Sequence, residues 1–254
     1  MSHPVFDHAK TSGRSLVGGW ISLAEVPVLE TMLSVPYDYV GIDTQHTLLN
    51  VERAARLLHA RPVDGLPVLV RTPDAAAAGI GKVLDAGGDG VIVPMINSGE
   101  AARAVVAACQ YGPRGVRSFG PMRARMPFEV QALSARVASF VMVETPQAVE
   151  RIDEICATPG LTGVYVGPAD LAIGLGLPVG GLEAPAALKQ AFAAIAAACA
   201  RHGVLAAGHF ALPHLTELKG LGFRMFTVGS DRRYIALGAA ADLRGARAAL
   251  DGSA

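Results

Sequence analysis

Eight short apolar runs, each followed by a segment of helical period, are the feature that most restricts what this chain can fold into. The runs lie at 16–20, 39–43, 67–71, 90–94, 140–144, 163–167, 204–209 and 223–228. The helical patterns lie at 27–33, 51–60, 74–86, 99–109, 147–156, 185–202, 213–219 and 231–250. The runs are continuously apolar, as strands covered on both faces must be, and strand–helix alternation is the pattern of a parallel sheet. An open, doubly wound sheet would show the same alternation. The count of eight and a length of 254 residues favour a closed (β/α)8 barrel, which typically needs about 250. No linker or low-complexity stretch divides the chain, so residues 1–254 are expected to form a single α/β barrel domain.

Charge excludes some functions. The 22 basic and 22 acidic residues balance, which gives no electrostatic reason to expect nucleic acid or an anionic membrane as partner. No apolar run approaches the roughly 18 residues of a membrane span, and the polar start of the chain lacks the apolar centre of a signal peptide. Cys109, Cys156 and Cys199 are odd in number and sit in alanine-rich helical segments. They read as reduced, buried thiols of a cytoplasmic protein rather than as disulfides or zinc ligands.

The residues at or just beyond the carboxyl ends of the runs are Trp20, Asp43 with His46, Arg71, Pro94, Glu144, Asp170, His209 and Ser230. Polar groups therefore gather at one rim, where barrels of this kind carry their active sites. Glu144 and Asp170 follow adjacent strands, and two carboxylates brought together need a cation or a proton between them. With no cysteine nearby, the pair suits a hard divalent cation such as Mg²⁺, Mn²⁺ or Co²⁺. The alternative is that each carboxylate caps the helix after it.

A guanidinium at Arg71 suits a carboxylate and a developing enolate oxygen. It also suits a plain ion pair with Asp43 or Glu144. His46 titrates near neutrality and can move protons at a reacting carbon or hydroxyl. Asp85, at the end of the third helical pattern, either orients His46 through water or is simply exposed. The four lysines, Lys10, Lys82, Lys189 and Lys219, lie in the N-terminal segment and in helical patterns. None is placed for the Schiff base that a lysine-dependent aldolase needs inside the barrel.

Two connections are long: 110–138, with Arg114, Arg117, Arg123, Arg125 and Arg136, and the Gly- and Pro-rich stretch 168–182. Long loops in compact folds are usually functional, and both are expected on the catalytic face. Trp20 and Phe210, flanking strand ends, are expected to wall an acceptor pocket, although aromatics more often fill cores. Residues 116–119, of this or of a neighbouring subunit, are expected to complete that pocket, with Arg117 favouring acidic or hydroxylated aldehydes.

The ordered pieces Gly-Gly-Trp at 18–20, Tyr-Val-Gly-Ile-Asp-Thr-Gln-His at 39–46, Val-Arg-Thr at 70–72 and Leu-Asp-Ala-Gly at 84–87 carry a resemblance. So do Val-Pro-Met at 93–95, Tyr-Gly-Pro-Arg-Gly-Val-Arg at 111–117, Val-Glu-Thr at 143–145 and Gly-Pro-Ala-Asp-Leu at 167–171. From Gly18 to Ser230 the chain resembles the HpcH/HpaI family of class II pyruvate aldolases. The resemblance implies a barrel of the phosphoenolpyruvate/pyruvate superfamily and reversible addition of pyruvate, or a relative such as hydroxypyruvate, to an aldehyde. It implies metal binding by Glu144 and Asp170, enolate stabilisation by Arg71, and proton transfer by His46 with Asp85. It further implies contacts from the Gly167 and Ala169 backbone to the donor carboxylate, and a hexamer that exchanges its last helix. Gln45 stands where the family often has glutamate, and Met142 where it often has glutamine. These departures bear on substrate preference.

Two rival readings compete. A malyl- or citramalyl-CoA-type lyase would use the same carboxylates but needs a nucleotide-binding surface. A non-catalytic barrel would bind an anion at 228–231, where Ser230 more plainly caps a helix.

Overall fold

The computed structural model describes residues 3–23, 25–179 and 185–251. Eight parallel strands close into one barrel in sequence order. They are β1 (Leu16–Ile21), β2 (Tyr39–Asp43), β3 (Val68–Arg71), β4 (Gly90–Val93), β5 (Ala138–Val143), β6 (Gly163–Val166), β7 (Leu205–His209) and β8 (Met225–Thr227). Closure comes from β1 against β8, with Leu16 opposite Met225 and Gly18 opposite Thr227. The expectation of a closed (β/α)8 barrel holds.

Among the described residues the α-helices are α1 (Pro4–Ser12), α2 (Val26–Ser34), α3 (Val51–His59), α4 (Ala77–Asp85), α5 (Gly99–Cys109) and α6 (Val130–Ala135). They continue with α7 (Pro146–Glu150), α8 (Ile152–Cys156), α9 (Pro168–Gly174), α10 (Ala186–His202), α11 (Leu215–Leu221) and α12 (Asp231–Asp251). The pattern at 147–156 breaks at Arg151, which leaves the helical region between α7 and α8. Part of the Gly- and Pro-rich stretch is the short helix α9; residues 180–182 lie outside the described residues.

Side chains alternate between two layers. Leu16, Trp20, Tyr39, Leu69, Ile92, Phe140, Met142, Tyr165, Ala207 and Met225 fill the barrel. Their neighbours Ile21, Val40, Val70, Val91, Val141, Val164, Ala206 and Phe226 face the helices. This is the period of two that strand geometry imposes. Gly18 and Gly41 make room inside: a Cβ on Gly18 would meet the Tyr39 ring, and one on Gly41 the Trp20 ring, each well below contact distance.

The opposite end of the barrel is closed by α1, which the polar N-terminus did not announce. Phe6 is fully buried there, edge-on to Tyr39 and Phe140. The arginine-bearing connection lies at this end too. It runs from α5 into β5, and a helix-to-strand connection reaches the amino-terminal end of the barrel. The expectation that it overhangs the catalytic face is therefore corrected. Arg117 is buried, pairs with Asp85 at 2.7 Å and lies over the Tyr111 ring; within this chain it selects no aldehyde. The three cysteines are free and buried. No described helix is long and apolar enough to cross a membrane.

Candidate active site

Strand parity decides what enters the site. Trp20, Arg71 and Tyr165 share a face with the barrel-filling residues two positions earlier or later, and His209 lies two beyond Ala207. Together with His46, Met142, Gly167, Ala169 and Asp170 they line one cleft of about 280 Å³. The connections that follow β2 and β6 contribute His46, Ala169 and Asp170. These connections open on the carboxyl-terminal end of the barrel, where catalytic groups are expected.

Arg71 is held rigidly. Its Nε donates to Asp43 Oδ1 at 2.8 Å and its Nη2 donates to Oδ2. The Gln45 and His46 amides also donate to Oδ1. Burial alone would push the Asp43 carboxyl up. The Arg71 hydrogen bonds and charge, helped by those amides, outweigh burial and hold it below its ordinary value. Arg71 also lies 5.4 Å from the centre of the Trp20 ring. Of its five N–H groups Asp43 takes two, and the others have no protein partner among the described residues. The two plain readings of Arg71, ion pair and binding group, are thus compatible.

Glu144 is 2 % exposed. Its Oε1 accepts from the Met95 amide at 2.7 Å. Met95 adopts φ 58°, a left-handed conformation that costs a side-chain-bearing residue roughly 1–2 kcal/mol. Backbone strain thus coincides with the amide that anchors this carboxylate. The other oxygen rests against Gly167: a Cβ there would lie 2.4 Å from Glu144 Oε2. Burial pushes the Glu144 carboxyl up; the Met95 amide opposes this and the charge of Asp170 adds to it. A buried carboxylate facing a second one keeps either a proton or a cation. This donor set fits a hard divalent ion. Among the described residues no group of three His, Cys, Asp or Glu is placed to hold a metal.

His209 lies edge-on to Trp20 with centroids 5.8 Å apart. Burial, then the Arg71 charge, lowers its pKa to about 4, so it is neutral at pH 7. Tyr165 stacks on Trp20, and its hydroxyl donates to Thr227 Oγ1 at 2.7 Å. Tyr165 and Met95 escaped sequence reading. Parity along Gly163–Val166 would have pointed to Tyr165; nothing announced the Met95 backbone.

Of the expected site residues, Asp43, Gln45, Asp85, Glu144 and Phe210 do not line this cleft, and Asp85 and Phe210 depart furthest from expectation. Asp85 ends α4, which runs against the strands, so it sits at the amino-terminal end of the barrel, bonded to Arg117. Within one chain it is not brought to His46. Phe210 follows His209, so parity turns it outward; it packs edge-on to Phe192 and Phe223. It packs between barrel and helices and also lines, with Pro168, Ala169 and His209 of the cleft, a neighbouring recess of about 200 Å³. Gln45 stays beside His46 with its side-chain oxygen buried and unpartnered among the described residues. Met142 lines the cleft.

Residues 16–236 match the family model described as HpcH/HpaI aldolase/citrate lyase. The chain belongs to this family. It is an enzyme of the lyase class. A hydroxypyruvate/pyruvate aldolase of Rhizorhabdus wittichii is 38 % identical over 167 residues, 65 % of this chain and 66 % of that protein. A protein of the same name from Deinococcus radiodurans is 31 % identical, covering 91 % of this chain and 85 % of its own. The crystal structure of an HpcH/HpaI aldolase/citrate lyase family protein from Burkholderia cenocepacia superposes with a TM-score of 0.86. It is 26 % identical and covers 97 % of this chain and 100 % of its own.

Proposed function

We propose that the chain is a class II aldolase that adds pyruvate, or a substituted pyruvate such as hydroxypyruvate, reversibly to an aldehyde, giving a 4-hydroxy-2-oxo acid. The observation that carries this is the meeting of an immobilised guanidinium, a rim histidine and Asp170 in one cleft, with Glu144 buried behind it and within electrostatic reach of all three. The names of the relatives support the same donor.

Glu144 and Asp170 would hold a divalent cation such as Mg²⁺, Mn²⁺ or Co²⁺, which when bound supplies positive charge to the oxygens of the 2-oxo acid. Arg71, fixed by Asp43, opposes the negative charge that develops on the 2-oxo oxygen as C3 loses its proton. Preorganised charge of this kind needs no rearrangement during reaction. Gly167 and Ala169, at the start of α9, line the same cleft, and their amides would suit the donor carboxylate, because amides of a first helical turn have no partner within the helix. His46, exposed at the rim, moves the proton at C3 or at the new 4-hydroxyl. Trp20 and Tyr165 form the apolar floor. Asp85 would join His46 only from another copy of the chain. The exposed Ile235, Leu237 and Leu243 of α12 support the reading that this helix packs in an oligomer, a hexamer by family resemblance.

The test is exchange of solvent deuterium into pyruvate. Chelation should abolish exchange, and Mg²⁺, Mn²⁺ or Co²⁺ should restore it. None of the four lysines lines the cleft, so borohydride with pyruvate should leave no adduct. A lysine adduct, or exchange that survives chelation, overturns the mechanism.

A further inference from the structure

A second recess of about 430 Å³ opens beside the cleft and shares Trp20, His46 and His209 with it. Its far wall is Ser230, Arg232 and Arg233, at the start of α12. The charge in this recess is one-sided. Asp43 is occupied by Arg71 and by two amides. Asp231, 3 % exposed, accepts from the amides of Ser22 and Leu23, the Ser22 hydroxyl and the Arg232 amide. Both carboxylates near the recess are therefore consumed. The Arg232 and Arg233 side chains are exposed and form no ion pair among the described residues. Their backbone amides are satisfied, by Asp231 and by the Ser230 hydroxyl. Two uncompensated guanidiniums thus border a recess that begins at the proposed proton-transfer histidine. Nothing in the reaction at C3 of the donor uses them.

We infer that Arg232 and Arg233 form the tail subsite of the acceptor, selecting aldehydes that carry a second anionic group, a carboxylate or a phosphate, at the end remote from the carbonyl. This rests on the aldolase reading above. Within this chain Arg117 is buried at the other end of the barrel, so the cations beside this recess are Arg232 and Arg233. A guanidinium fork matches either anion in two-point geometry. The carbonyl end of the acceptor would then lie at His46 and the cleft, and the tail would point along Trp20 and His209 toward α12.

The experiment pairs acceptors of equal length: succinic semialdehyde against butanal, and glyceraldehyde 3-phosphate against glyceraldehyde. The variants are Arg232→Gln, Arg233→Gln, the double variant and the double lysine variant, all with pyruvate and Mn²⁺. Both arginines are exposed, so folding should be unaffected, and pyruvate deuterium exchange should stay at the parental rate. Loss of a charge-assisted contact should lower kcat/KM for the anionic member about tenfold or more in the double glutamine variant. The neutral member should change by no more than about twofold, since exposed surface substitutions are otherwise near-neutral. The lysine variant should recover part of the loss, and raised salt should erode the parental preference. The carboxylate and phosphate pairs separate the two sources of the anion. Equal effects on charged and neutral acceptors, or none on either, overturn the subsite while leaving the aldolase intact. Absence of pyruvate exchange in the parent overturns both.

Discussion

Arg71→Ala removes one half of a buried ion pair, and the structure says what happens to the other half. Asp43 is 3 % exposed and keeps only the Gln45 and His46 amides once the guanidinium is gone. Stranding a buried charge by deleting its partner costs about 3–5 kcal/mol. The two remaining amides put the expected loss near the lower end, about 3 kcal/mol. The loss should depend on pH, and its sign follows from Asp43. In the parent its carboxyl lies below its ordinary value. Its stabilising contribution is therefore present above the ordinary carboxylate range and disappears as pH falls through the lowered native value. In Arg71→Ala burial, the largest influence on this carboxyl, is no longer outweighed, and the native carboxyl rises. Asp43 then takes up a proton more readily folded than unfolded, so the variant weakens as pH rises through that range. The deficit should be largest at neutral pH and shrink in acid.

Asp43→Asn on top of Arg71→Ala discards the stranded charge while keeping an acceptor for the amides. It should recover most of the lost stability. Activity should not follow: an interaction of this kind, made as charge develops, commonly contributes about 10²–10³ in rate, and the double variant still lacks it. The assay is denaturant unfolding of the four proteins of the cycle at pH 5 and pH 8, beside pyruvate exchange on the same samples. Coupling between contacting residues is what such a cycle isolates. If Arg71→Ala unfolds at the parental midpoint at pH 8, Asp43 does not depend on Arg71. If the double variant regains exchange, Arg71 serves only to neutralise Asp43.

Three further outcomes are expected. Gly167→Ala places a methyl 2.4 Å from Glu144 Oε2; displacing a supporting contact should weaken Mn²⁺ binding by about 10–100-fold. Calorimetric titration measures this, and unchanged affinity would remove Glu144 from the ligand set. Phe210→Ala opens a cavity among Phe192, Phe223 and Phe226, costing about 3–5 kcal/mol and lowering all aldol rates together; rates that redistribute among aldehydes would return Phe210 to the acceptor pocket. His209 has a native pKa of about 4 against 6.5, so the unfolded chain takes its proton first and stability falls as pH drops from 6.5 to 4. Across that window the loss amounts to roughly 3 kcal/mol, and His209→Gln should flatten that limb of a Tm-against-pH curve, while an unchanged limb would place the titration elsewhere.

What the sequence disclosed and what it concealed divide along physical lines. Barrel closure was legible because eight buried strands leave eight uninterrupted apolar runs, and their count needs no knowledge of packing. The rim residues were legible for a related reason. Asp43, Arg71 and Glu144 interrupt apolar runs at their carboxyl ends, and nothing but a site repays charge in such positions. The orientation of Phe210 was not legible, because the end of a strand says where a side chain starts but not where it points. Applied across His209, the period of two sends one of the pair in and the other out. Asp85 and the 110–138 connection were misplaced by the companion error, which is direction. Strand-to-helix and helix-to-strand connections emerge at opposite ends of the barrel, and only the former reach the site. Segment α1 hid because only Phe6 and Ala9 are buried in it, too few to show a period. The Met95 backbone had no signal at all, since φ belongs to the fold rather than to the residue type.

The same two rules, parity and direction, account for the arginines. Arg117 and Arg123 are basic residues on a helix-to-strand connection, and both are bonded to structure at the closed end of the barrel. Arg232 and Arg233 directly follow a strand-to-helix connection, and their side chains have no partner among the described residues at the open end. At the closed end Arg117 has a carboxylate and Arg123 a carbonyl to satisfy it before any substrate arrives. At the open end Arg232 and Arg233 border the recess shared with His46 and His209, where an unpaired charge would be available to an anionic ligand. Where a charge stands along the chain relative to strand and helix therefore tells more about its use than how many charges a loop contains.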